Sequence, residues 1–176
     1  HGVELALAGG FGSGSADWIE RLGSRWSGRV ETLRVSDADF GDWSLDEPVP
    51  LVFSRREAEL QRACLGCKIS SVCFEGRWRA ADQSWRGRID VRDVEAQRFA
   101  TLWPAAVSFR GTGRLTAQGR GTGGRLERAS LEASVSSGTL TWRLGAGVTR
   151  IEHDGADLSF RLDGSGGRGR MQVRLG

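Results

Sequence analysis

The chain has no tyrosine, a single methionine, three prolines and three cysteines in 176 residues. So little proline excludes collagen-like repeats and proline-rich linkers. Long apolar runs are missing too: nothing approaches the roughly 18 residues a membrane-spanning helix needs. With 39% hydrophobic and 27% charged residues, the composition is that of a folded chain and not a disordered one. A chain of this length buries a core without relying on disulfides, and one domain is the default expectation.

Lysine is almost absent. Of 25 basic residues only Lys68 is not an arginine, and 22 acidic residues face them, leaving a net charge of +3. The arginines are spread along the chain, and the densest stretch, Arg161 to Arg174, is interrupted by glycines and Asp163. That reads as a mixed surface. Nucleic acid is not expected as a partner, because its electrostatic footprint needs a cluster or stripe of one sign. The sequence opens at His1 with no initiator methionine or targeting segment, which predicts a piece cut from a longer protein.

Glycine is abundant, at 26 residues, about twice its usual share, and this favours many turns between strands. Strict alternation of apolar and polar residues runs through Ala58–Arg62, Arg88–Arg92, Leu131–Val135, Leu140–Leu144, Leu158–Leu162 and Met171–Leu175. Successive side chains of a strand point to opposite faces, so each run specifies a strand with one apolar and one wet face, an antiparallel habit. Turns are expected at Gly111–Gly113, Gly119–Gly124, Ser137–Gly138, Asp154–Gly155 and Gly164–Gly167. Two short helices are expected, over Ser15–Leu22 and over Asp93–Trp103, where Pro104 enforces the stop. The remainder reads as about ten to twelve strands in one continuous all-β sheet.

Catalytic constellations are hard to assemble. His153 and Asp154 are adjacent, so in a strand they point apart, and a surface turn is the expected setting. Ser13 lacks the flanking glycines of a nucleophile elbow, and the glycine runs between 111 and 124 lack the lysine of a phosphate loop. Cys64, Cys67 and Cys73 have no nearby histidine to complete a zinc site. The Cys64–Cys67 spacing would serve redox chemistry only at a helix N-terminus, whereas a hairpin tip is expected here. No enzyme activity, metal or cofactor is expected. Of the seven tryptophans, Trp78 and Trp142 fall in period with apolar faces, while Trp18, Trp26, Trp43, Trp85 and Trp103 fall near turns or strand ends.

The order of elements from Trp26 to Pro104 resembles a known family. Trp26-Ser27-Gly28 opens a strand that continues through Leu33 and Val35, and Phe40 to Leu45 leads to a turn at Glu47-Pro48 and then Leu51 to Ser54. Cys64-Leu65 is answered by Val72-Cys73-Phe74, followed by Gly76 and Trp78. Ile89 to Val94 enters Phe99 to Pro104, after which Phe109-Arg110-Gly111 begins another strand. In this sequence of features the chain resembles the TamB family, the inner-membrane-anchored subunits of the translocation and assembly module, which are AsmA-like bridging proteins.

The resemblance implies that residues 1–176 are one continuous periplasmic segment of a much longer chain. The implied fold is a long curved antiparallel sheet folded into a trough, taco-like or sandwich-like, with an apolar interior. The implied function is non-enzymatic: shielding phospholipid acyl chains between the membranes and supporting outer-membrane protein assembly, with an outer-membrane barrel of the TamA type as partner. The alternative is a chaperone-like module that pairs its sheet edge with strands of unfolded outer-membrane proteins. The expected lining is Leu33, Val35, Leu51, Phe53, Leu60, Phe74, Trp78, Ile89, Val91, Phe109, Leu115, Leu131, Val135, Leu140, Trp142, Leu144, Leu158, Phe160 and Leu162, with Glu59, Arg88, Arg143 and Arg161 facing the periplasm. The resemblance also implies a Cys64–Cys73 disulfide. Cys64 shares parity with Leu60 while Cys73 opposes the parity of Phe74, so that pairing requires a bulge or register change, and it leaves Cys67 free.

Overall fold

A computed structural model describes residues 2–11, 25–37, 41–95, 97, 107–144, 147–164 and 166–175. They form twelve strands: β1 (Gly2–Phe11), β2 (Trp26–Asp37), β3 (Gly41–Leu45), β4 (Val49–Phe53), β5 (Glu57–Cys67), β6 (Ser70–Arg79), β7 (Ser84–Glu95), β8 (Val107–Arg110), β9 (Thr112–Thr122), β10 (Arg125–Leu144), β11 (Gly147–Asp163) and β12 (Gly166–Leu175). All belong to one antiparallel sheet in near-sequential order from β1 to β12. Two lanes of the sheet are each shared by two strands. β3 and β4 both lie between β2 and β5, and β8 and β9 both lie against β10.

The expected helix over Ser15–Leu22 lies outside the described residues. The one over Asp93–Trp103 is corrected at its start, because Asp93, Val94 and Glu95 end β7; residues 98–103 lie outside the described residues. No helix among the described residues is long and apolar enough to cross a membrane. Two expected turns are also corrected. Ser137-Gly138 lies inside the 20-residue β10, and Asp154-Gly155 lies inside the 17-residue β11. Glycine inside a strand marks a bulge or a close backbone approach, not necessarily a chain reversal. At Gly138 a Cβ would fall onto the Arg110 carbonyl oxygen, and Gly155, with φ of 151°, sits where β12 shifts register.

Five register shifts interrupt the ladders, and four of them share a consequence. β2 accommodates an extra residue between Val30 and Leu33, β5 between Leu60 and Ala63, β7 between Val91 and Val94, and β10 between Leu126 and Ala129. Each bulge reverses the parity of the residues that follow it. In all four the sequence parity of the apolar residues reverses at the same point, so the apolar set stays on one side. Asp93, with φ of 52°, forms one of these bulges and its carboxylate receives Arg114 Nη2 at 3.0 Å.

The sheet is not covered by a second layer of described strands. The chain exposes 12350 Å² for 19.1 kDa, whereas a compact monomer of that mass exposes about 8400 Å². Among the described residues, buried apolar ones are few and mostly small: Val30, Val49, Ala63, Val94 and the two cysteines Cys67 and Cys73.

Candidate functional site

Residues paired directly across antiparallel strands share a face, so the ladders define which side chains meet. Starting from Phe74, the pairs Ala63–Phe74, Phe74–Ile89, Ile89–Ala117, Ala117–Leu131 and Leu131–Phe160 cross six strands without a polar residue. Four positions along, Ala58, Trp78, Trp85 and Gly121 form a parallel row. Between them run Leu60, Gly76, Gly87, Gly119, Ala129 and Leu162. On the near side Leu5–Leu33, Val3–Val35, Val35–Trp43, Val30–Val49, Leu51–Leu60 and Leu45–Leu65 extend the same face back to β1.

Of the expected lining, Leu33, Val35, Leu51, Phe53, Leu60, Phe74, Trp78, Ile89, Val91, Leu115, Leu131, Val135, Leu158, Phe160 and Leu162 therefore stand on one continuous face. The register corrects the other four: β10 pairs β11 without a shift from Val135 to Leu144, so Leu140, Trp142 and Leu144 fall in the row of Glu132 and Ser134 and not in that of Leu131 and Val135, and Phe109, paired with Leu140, falls with them. The face is open: Trp78 is 37% exposed, Ile89 46%, Leu158 43% and Phe160 42%. The middle row thins it further. Above Gly76 and Gly87 only backbone carbonyls come within 4 Å of where a Cβ would stand, while Trp85 and Leu126 lean over Gly119.

Several members of this face escape the sequence pattern. Leu65, Val94 and Ala129 were hidden by the bulges, Val72 joins the row of Phe74 and Trp78 in the unbulged β6, and Trp85 reads as a turn residue although it stands opposite Trp78, its Nε1 donating to the Gly123 carbonyl at 3.1 Å. Alternation persisting beyond Leu60 in the opposite parity was the available signal.

The other face is polar and braced. Cys64 and Cys73 are directly paired and disulfide-bonded, with Cα atoms 4.0 Å apart, and Cys67 is free and buried. The bulge at Gln61-Arg62 supplies the parity change the pairing requires, within the strand and not in the loop. The same row continues to Asp90 and Thr116. Asp90 is buried and accepts hydrogen bonds from Arg88 Nε at 2.9 Å, Arg88 Nη2 at 3.0 Å and Thr116 Oγ1 at 2.9 Å, with Arg62 Nη1 3.3 Å away. The Arg88 hydrogen bonds, then Thr116 and the charges of Arg88 and Arg62, hold its carboxyl below the usual aspartate value against the opposing effect of burial.

Glu59, Arg88 and Arg161, expected simply to face solvent, line a groove of about 1080 Å³ on this polar side. Its floor is the backbone of Gly76, Gly87 and Gly119 together with that of Leu60, Ala129 and Leu162, whose side chains project to the apolar face. The expected surface turn at His153-Asp154 is also corrected: both lie in β11, and His153 is 5% exposed.

No protein-family model, curated protein or solved structure matches this chain.

Proposed function

We propose that this chain is a non-enzymatic, periplasmic segment of a TamB-like bridge whose apolar face shields phospholipid acyl chains in transit between membranes. The observation that supports it is the continuity of that face from β1 to β11 across four compensating bulges, with large side chains left half-exposed. Open apolar surface of this extent marks an interaction site. A tail leaving a bilayer loses about 0.8 kcal/mol per methylene, or on the order of 13 kcal/mol for ~16 carbons. A continuous apolar surface offsets most of that while giving no methylene a particular partner, so tails of different length slide along it. The disulfide fits an oxidising periplasm. The resemblance supplies the rest of this reading: an inner-membrane anchor, a TamA-type outer-membrane barrel, and unfolded outer-membrane proteins as further clients.

The reading is tested by mass spectrometry of lipids that co-purify with the chain. Phe160→Glu places a carboxylate on the apolar face, whereas Ser159→Glu places it on the wet one. Phospholipid is expected with the unmodified chain and the Ser159 variant, and at least several-fold less with the Phe160 variant. Equal recovery from both variants would exclude this face as the carrier.

One observation favours a second reading, strand capture. The outer strand β1 pairs only with β2 among the described residues, and its Val3, Leu5 and Leu7 are 72%, 56% and 51% exposed. An apolar edge of this kind templates the pairing of another strand.

A further inference from the structure

The ladder of the polar face brings four arginines side by side. Arg77 stands opposite Arg86, Arg86 opposite Arg120 and Arg120 opposite Arg128. Neighbouring strands are about 4.8 Å apart, so the row spans roughly 14 Å. Like charges directly opposite are destabilising. Elsewhere this face neutralises its arginines: Arg62 and Arg88 share Asp90, and Arg77 meets Glu59 at 3.5 Å. Arg86, Arg120 and Arg128 have no carboxylate within ion-pair distance among the described residues, and neither has Arg161 across the groove. In all, seven arginines and three carboxylates line the groove.

We propose that this groove is a binding site for an anion carrying two or more phosphoryl groups, held by Arg86, Arg120 and Arg128. Three features select that chemistry. The cations are all arginines, whose planar fork takes phosphate oxygens two at a time. Their spacing lets one phosphoryl group bridge two neighbouring guanidiniums and a second bridge the next pair. The glycine-rich floor raises no side chain toward the ligand. Single-stranded nucleic acid would want aromatic platforms for its bases, and no aromatic residue lines the groove. A lipid headgroup with two phosphates and a soluble oligophosphate share the chemistry. The site lies on the face opposite the acyl-chain surface, so either reading stands if the other fails.

The test is calorimetric titration of the chain with tripolyphosphate, beside flotation with vesicles containing cardiolipin. Saturable tripolyphosphate binding is expected, at least tenfold weaker in the Arg86→Gln/Arg120→Gln/Arg128→Gln variant, and weaker for inorganic phosphate than for tripolyphosphate. Cardiolipin flotation lost in the variant identifies a headgroup as the source; flotation unchanged beside lost tripolyphosphate binding identifies a soluble one. Without ligand and at low salt, the variant is expected to unfold at a higher temperature, since its repulsion is relieved. Arg120→Gln alone, at the centre of the row, gives the same comparison with a smaller change in charge. No saturable binding of either probe by the unmodified chain, or equal tripolyphosphate binding by the variants, overturns the proposal.

Discussion

Replacing Cys64 and Cys73 together by serine is expected to raise amide exchange in the β5–β6 hairpin by roughly 70- to 150-fold while leaving β10–β11 nearly unchanged. The two cysteines are nine positions apart, and releasing a loop of that size returns about 2.5–3 kcal/mol of entropy to the unfolded chain on the loop-closure account. The effect is local because strands of an open sheet lean on their neighbours. β5 is held by β6 on one side and by the short strands β3 and β4 on the other, whereas β10 and β11 share fifteen paired positions of their own. Hydrogen exchange read by mass spectrometry resolves the two regions, and uniform acceleration would show a single cooperative unit instead. Thiol labelling checks the pairing: under non-reducing denaturing conditions one thiol per chain should react, and it should be Cys67.

Asp90→Asn is expected to cost about 2 kcal/mol above pH 5, the range for hydrogen bonds to a charged group. The charge contribution has a definite sign. The folded-state pKa lies below the unfolded value of about 3.9, so the stabilisation is fully present above that value and is lost as pH falls through the folded pKa. Unfolding curves of the two proteins should therefore converge as the pH drops below about 4. Arg88 and Arg62 are more than 40% exposed and regain water when the carboxylate goes, which keeps the cost below that of a fully buried pair. A gap independent of pH would mean that shape, and not charge, is what Asp90 contributes.

The strands of this fold were legible because alternation is a one-dimensional signal, and runs such as Leu158 to Leu162 carry it without fault. Bulges are not one-dimensional. Whether Gln61 and Arg62 together face one partner residue is decided by β6, and only the conflicting parities of Cys64 and Cys73 hinted at it. In-strand glycines misled for a related reason, since Gly138 and Gly155 answer to a neighbouring backbone and not to a chain reversal. The arginine row was invisible in sequence, where Arg77, Arg86, Arg120 and Arg128 look scattered; cross-strand pairing alone makes them a cluster.

The claim that the apolar face carries acyl chains is tested most directly by photocrosslinking in the presence of phospholipid. A photoreactive residue at position 160 sits on the apolar face opposite Leu131, and one at position 159 sits on the wet face opposite Glu132. Lipid adducts are expected at 160 and not at 159. Equal labelling at the two positions, or none at either in a folded chain, would contradict the account and leave strand capture at the β1 edge as the surviving reading.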